Sequence, residues 1–269
     1  MSHPADGDGP ASDRHAPRTD SAGQPWAGRA FEANTHTSDD GRAPARLIEA
    51  LRRFRTREVG QTEVVDALRE SRLLIPLVAQ LGGGGEGVDA HTGLRTDKTQ
   101  ELAIVTVAGP DGRNVLPVFS SVEAMSAWNP KARPVPADGV RVALAAASEQ
   151  TDLVVLDPTS ATEFAVRRPA LWAIAQSLPW QPSFESAAIL QAFERSIATE
   201  LAALDVRLVP GDPDARLSGP ELVVELELVA GLDRGELDAV LARLAQRWAA
   251  DDDIATGVDS LKVRLVASV

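Results

Sequence analysis

The segment Gly82-Gly83-Gly84-Gly85-Glu86-Gly87 satisfies the spacing G-x-G-x-x-G directly after an apolar run, "RLLIPLVAQL" (72–81). That spacing cradles a pyrophosphate only if a helix begins at the loop and aims its first amides at the phosphates. Here "VDAHTGLRTDKTQ" follows, with no helical stripe, and then another strand pattern. The segment reads as a loop between antiparallel strands. The four histidines, His3, His15, His36 and His91, include no i, i+4 pair flanking a carboxylate, and no Ser occupies a G-x-S-x-G turn. The usual metal-ligand and nucleophile patterns are therefore missing. Asp251, Asp252 and Asp253 are adjacent, whereas calcium loops alternate their oxygen ligands with spacer residues, so they read as a solvated turn.

Charge supplies two further candidates. Arg52, Arg53, Arg55 and Arg57 form the basic cluster of an otherwise acidic chain. Near a helix C-terminus they complement the helix dipole, with an acidic partner as the alternative use. Glu225 and Glu227 on one strand, with Lys262 and Arg264 on another, fall on the outward face by alternation and read as surface ion pairs. No catalytic, cofactor-binding or metal-binding residue is assigned, and no cofactor is expected. Trp26, Arg29 and Phe31 are the exception to this plain surface. A Trp covers ~150–250 Å² of surface, too much to leave idle in a polar leader. These residues read as an arm strapped across its own domain, with a partner-binding segment that folds on contact as the alternative.

The totals narrow the classes. The chain has 269 residues, 27 basic and 39 acidic side chains and a formal net charge of −12. That balance opposes non-specific binding to nucleic acid or anionic membranes, so neither is expected as a partner. The absence of Cys excludes thiolate catalysis and Cys-ligated metals and suits a reducing cytoplasm. The N-terminus has no apolar signal segment, and no window approaches a membrane span. A cytoplasmic location is expected.

The elements that would position any site follow from periodicity. Residues 1–25 are polar and Pro/Gly-rich and read as a disordered tail. Asp39-Asp40-Gly41 and Pro44 punctuate the start of a helix bearing Leu47, Leu51 and Phe54, and a second short helix carries Val64, Val65 and Leu68. Strands follow at 72–81 and 101–108, then a Gly109-Pro110-Asp111-Gly112 hairpin into "RNVLPVFSS". Pro117 predicts an edge or a bulge there. Ser120 with Glu123 suggests a capping box, and Pro130, Pro134 and Pro136 a bend before a helix over about 138–149. Two more strands and a helix from Pro169 complete residues 26–177. "LPWQPSF" (178–184) reads as a linker. Residues 185–269 then give α-β-β-α-β: Ile189, Phe193, Ile197 and Leu201 on a helix, alternating Leu222, Val224, Leu226 and Leu228, then Leu261, Val263 and Leu265 inward. Two small α+β domains are expected, with mainly antiparallel or mixed sheets covered by helices.

"RLLIPLV", "ELAIVTVAGPDGRNVLPVFSSVEAMSAW", "RPVPADGVRVALAAASEQTDLVVLDP" and "RPALWAIAQ" together resemble the actinobacterial branch of the SseB family, named for enhanced serine sensitivity. The likeness covers residues 26–176, and residues 185–269 look like the family's C-terminal domain. The resemblance implies fold and kinship but no catalytic residue. The function expected is a non-enzymatic cytoplasmic interaction or regulatory protein with an unidentified protein partner. The alternatives are an amino-acid-sensing protein and an enzyme with dispersed carboxylates.

Overall fold

The computed structural model describes residues 39–81 and 100–266; the Gly82–Gly87 loop, the four histidines and Trp26, Arg29 and Phe31 lie outside them. Helix α1 (Ala45–Arg55) and α2 (Gln61–Arg69) bury Leu47, Leu51, Phe54, Val64, Val65 and Leu68, the stripes their 3.6-residue repeat requires. The start of α1 differs from expectation. Pro44 is its N-cap and no side chain caps it. Asp40 Oδ1 accepts instead from the Arg42 N–H, and Gly41, at φ +73°, offers its carbonyl to the Val122 N–H at 2.9 Å. That left-handed backbone is one glycine adopts without penalty.

Strands β1 (Arg72–Leu81), β2 (Gln100–Ile104), β3 (Val107–Ala108) and β4 (Asn114–Val118) follow; the strand expected over 101–108 is split into β2 and β3, which belong to different sheets, and β3 forms the expected hairpin with β4. Then come α3 (Val122–Trp128), β5 (Arg133–Asp138), α4 (Gly139–Ser148), β6 (Val154–Leu156), β7 (Phe164–Val166) and α5 (Arg168–Ala175). A 3-10 turn at Ser183–Glu185 precedes α6 (Ala187–Ile197), β8 (Ala203–Pro210), β9 (Leu222–Leu228), α7 (Arg234–Ala250), α8 (Asp252–Gly257) and β10 (Leu261–Val266). The sheets have orders β2-β1-β5, β3-β4-β6-β7 and β10-β9-β8, so the fold is α+β with antiparallel and mixed sheets.

The prolines explain two departures. The Pro-rich stretch is a strand, β5, paired antiparallel with β1. Leu74 exchanges both backbone bonds with Phe119, on the side of β1 away from β5. Alternation then directs Leu73, Ile75 and Leu77 to β5, so Ala137, Val135 and Arg133 carry that ladder. Pro134 and Pro136 sit at the intervening positions, where their missing N–H groups face away from the sheet. Strand β4, expected as an edge or bulge at Pro117, is interior. Leu116 donates to Leu153 O on the β6 side, so Pro117 faces the other way. There it falls between the end of β3 pairing at Val115 and the Leu74–Phe119 bridge, where no ladder bond is needed. Helix α3 starts one residue late, with Ser121 Oγ accepting from the Ala124 N–H, because Ser120 is buried and engaged elsewhere.

One apolar cluster gathers α1, α2, α4 and α5 on β1, β4, β6 and β7; another gathers α6, α7 and α8 on β8 and β9. Strand β9 alternates as expected, with Leu222, Val224, Leu226 and Leu228 buried. Two positions differ. Helix α6 ends at Ile197, which leaves Leu201 95% exposed. Strand β10 is an edge, parallel to β9, and Leu261 and Leu265 remain exposed although they lie in register with buried Leu222 and Leu226. The helical layer ends before it covers them. Among the described residues no helix is long and apolar enough to cross a membrane.

Candidate functional site

The most concentrated chemistry lies where the loop between β8 and β9 meets the first apolar cluster. Asp212 organises that loop. Its Oδ1 accepts from the Arg216 N–H and the Ser218 hydroxyl, and its Oδ2 from the Leu217 N–H. The turn forces Ala215 and Leu217 to positive φ and delivers both into apolar clusters built by the first 177 residues. The Ala165 N–H donates to Ala215 O at 2.7 Å. Gly219 allows the loop to close, since a Cβ there would lie 2.7 Å from the Gly211 carbonyl oxygen.

Arg167, buried just before α5, reads this loop. Its Nη2 donates to Asp212 Oδ2 at 2.7 Å and to Gly219 O at 2.8 Å. Its Nη1 donates to Asp259 Oδ2 at 3.1 Å and Ser260 Oγ at 3.2 Å. Asp259 is also gripped by both Nη groups of Arg113, at 2.9 and 3.0 Å. Burial pushes Asp212 and Asp259 upward. Ser218 and Arg167 outweigh it at Asp212, Arg113 and Arg167 outweigh it at Asp259, and both carboxyls are held below the usual range. Glu221 is the opposite case. It is buried without a guanidinium, accepting only the Asp259 N–H at 2.6 Å and the Ser183 N–H at 3.4 Å. Burial raises it, and the Asp259 charge adds to the effect.

Two nearby carboxyls shifted in opposite directions are what an acid–base pair requires. Here both oxygens of Asp259 are held by arginines and those of Glu221 by backbone donors. A further buried carboxylate, Asp157, sits at the C-terminal ends of β4 and β6 at φ +44°. It accepts from the Ser120 N–H at 2.8 Å, the Ser120 hydroxyl at 2.7 Å and Thr162 Oγ1 at 2.8 Å. Buried Glu200 is paired with Arg243, whose guanidinium lowers it. The surface carries open depressions, of which two are well formed. One, of ≈ 520 Å³, lies beside Arg46 and Arg72; the other, of ≈ 480 Å³, lies between Phe54 and Phe184. None of Asp157, Glu200, Asp212, Glu221 and Asp259 lines either. No group of three metal-ligating side chains occurs among the described residues.

The candidates read from sequence disperse. Arg52 pairs with Glu49 and Glu58, and Arg53 with Glu58 and Glu63. Arg55 donates to the carbonyls of Asp214 and Glu163, and Arg57 to Pro213 O and Asp214 Oδ1. Arg55 and Arg57 thus strap down the same loop that Asp212 organises, a use beyond the helix dipole. Asp251 caps α8 through the Ile254 N–H, and Arg195 bridges Asp251 and Asp253, so this run is structured rather than a plain solvated turn. Arg264 and Glu225 form the expected outward pair. Arg113, Arg167, Asp212, Glu221 and Asp259 carried no sequence signal. Their partners across the junction stand 38 to 146 residues away, and no periodicity connects such positions.

The arrangement defines an α+β protein in which two helix-covered sheet regions are fastened by a buried charge junction. Residues 47–173 match the SseB protein N-terminal domain. Arg113 and Arg167, two members of the junction, lie within that matched segment. No curated protein and no solved structure matches the chain.

Proposed function

We propose that this is a non-enzymatic interaction or regulatory protein of the SseB family, acting on a protein partner in the cytoplasm. One observation carries the reading. The buried carboxylates that the fold assembles are all engaged by arginines, hydroxyls or backbone donors of the chain itself, and none lines either depression. A catalytic acid or base needs a reachable proton and a substrate beside it; these groups are committed to holding segments together. Large apolar side chains meanwhile stay at the surface, with Trp172 stacked on Arg168 and Leu265 on an outer strand. Trp26, Arg29 and Phe31, which lie outside the described residues, are the proposed contact segment and enter the test.

The test is quantitative affinity capture with the full chain as bait. A specific partner should be recovered at a fixed stoichiometry and weakened by at least about fivefold in Trp26→Ala if the arm contributes a hot-spot aromatic. Repeated captures without a stoichiometric partner would overturn the reading.

A further inference from the structure

The geometry points to the edge of β10, open among the described residues, as a docking strand for an extended, acidic segment of a partner protein, a conclusion that rests on the interaction reading above. Strand β10 pairs with β9 along all of Leu261–Val266 and ends the sheet order β10-β9-β8. The Leu222 N–H donates to Ser260 O at 3.0 Å. In a parallel ladder that phase directs the backbone groups of 260, 262, 264 and 266 to β9. The N–H and C=O groups of Leu261, Val263 and Leu265 therefore face away from the sheet, spaced as an added strand would require.

The side chains specify what fits. On the helix-covered face, Leu261 and Leu265 are 36% and 46% exposed and flank partly buried Val263. An incoming strand with apolar residues at alternate positions would extend the apolar layer that already buries Leu222, Val224 and Leu226. On the other face, Arg264 is paired with Glu225, while Lys262 is exposed and has no partner among the described residues. Self-pairing is selected against. Two copies joined antiparallel about Val263 would set Lys262 opposite Arg264 of the other copy, and like charges directly opposite destabilise a ladder. An acidic residue on the incoming strand meets Lys262 favourably. The edge rejects itself and accepts alternating apolar and acidic residues.

The experiment titrates the full chain with labelled seven-residue peptides in which Val alternates with Glu, Ser or Lys, read by fluorescence anisotropy. The Val/Glu peptide should bind about fivefold tighter than Val/Ser, with Val/Lys weakest, and Lys262→Glu should invert that order. Leu265→Pro removes an outward donor and no bond to β9, and should weaken Val/Glu by about tenfold. Its thermal melt verifies that the sheet stays folded; Leu265→Ser, which keeps the donor, should fall between it and wild type. Equal affinity for all three peptides, or no Val/Glu binding at millimolar concentration, would overturn the proposal. So would a dimer lost in Leu265→Pro, which assigns the edge to a second copy. If wild type and Leu265→Pro capture a protein partner equally well, this surface is wrong and the interaction reading survives.

Discussion

Strands β5 and β10 both end a sheet, and they do so by different chemistry. Strand β5 places Pro134 and Pro136 at the positions whose backbone faces outward, so its free side lacks two donors. Strand β10 keeps its outward donors at Leu261, Val263 and Leu265 and is guarded by the charges of Lys262 and Arg264. A missing N–H closes an edge to every strand, whereas a charge closes it only to like charge. The region that matches the SseB N-terminal domain is thus sealed at β5, and the region after it is selective.

The contrast requires that both regions stay in one folded body, which gives the largest expected effect. Arg167→Met strands Asp212 and Asp259 with too little positive charge, and should cost about 3–5 kcal/mol in urea denaturation. Next, Pro134→Val with Pro136→Val gives β5 the donors it lacks. Self-association through Val135, already 38% exposed, should rise by about tenfold in sedimentation analysis, since each new strand bond contributes ~0.5–1.5 kcal/mol. If it does not rise, the prolines are not what closes that edge.

Glu221→Gln tests the junction beneath β10 with a smaller effect that depends on pH. The folded protein holds Glu221 above its ordinary value of 4.5. Its favourable contribution is complete below that value and is lost as pH rises through the raised one. Wild type should lose stability relative to Glu221→Gln as pH rises above 4.5 and through the raised value, and a variant with an unchanged pH profile would deny the buried proton. Asp212 and Asp259 have the reverse sign: their contribution is present above their ordinary value of 3.8 and is lost as pH falls through their lowered ones. The smallest effect belongs to Arg264→Ala, which removes an outward ion pair and should cost only about 0.2–1 kcal/mol, less at high salt.

The two edges also divide what sequence could foretell. The alternation of Leu222, Val224, Leu226 and Leu228 announced β9, and the stripe of Leu47, Leu51 and Phe54 announced α1, because both patterns are local. Strand β5 was hidden by its own defence, since Pro134 and Pro136 erase the propensity signal while leaving the alternate positions free to pair. For β10 the inward side of Leu261 and Leu265 was legible, but its edge position was not. That depends on where β9 lies and on how far the helices reach. The junction was least legible of all. Arg113 meets Asp259 across 146 residues, and each member alone looks like an ordinary surface charge.

The β8–β9 loop has a consequence for how this chain can be divided. Asp212, Ala215 and Leu217 lie beyond the SseB-matched segment, yet they complete its apolar clusters and neutralise its buried arginine. A fragment excised at residues 47–173 would present a vacant apolar notch, Arg167 without either of its carboxylates and Arg113 with Asp111 alone. The same segment carried together with residues 211–220 and 259–260 keeps them. In any transplant or shuffling of this domain, that short loop is part of the inherited unit, although more than thirty residues separate it from the matched segment's end.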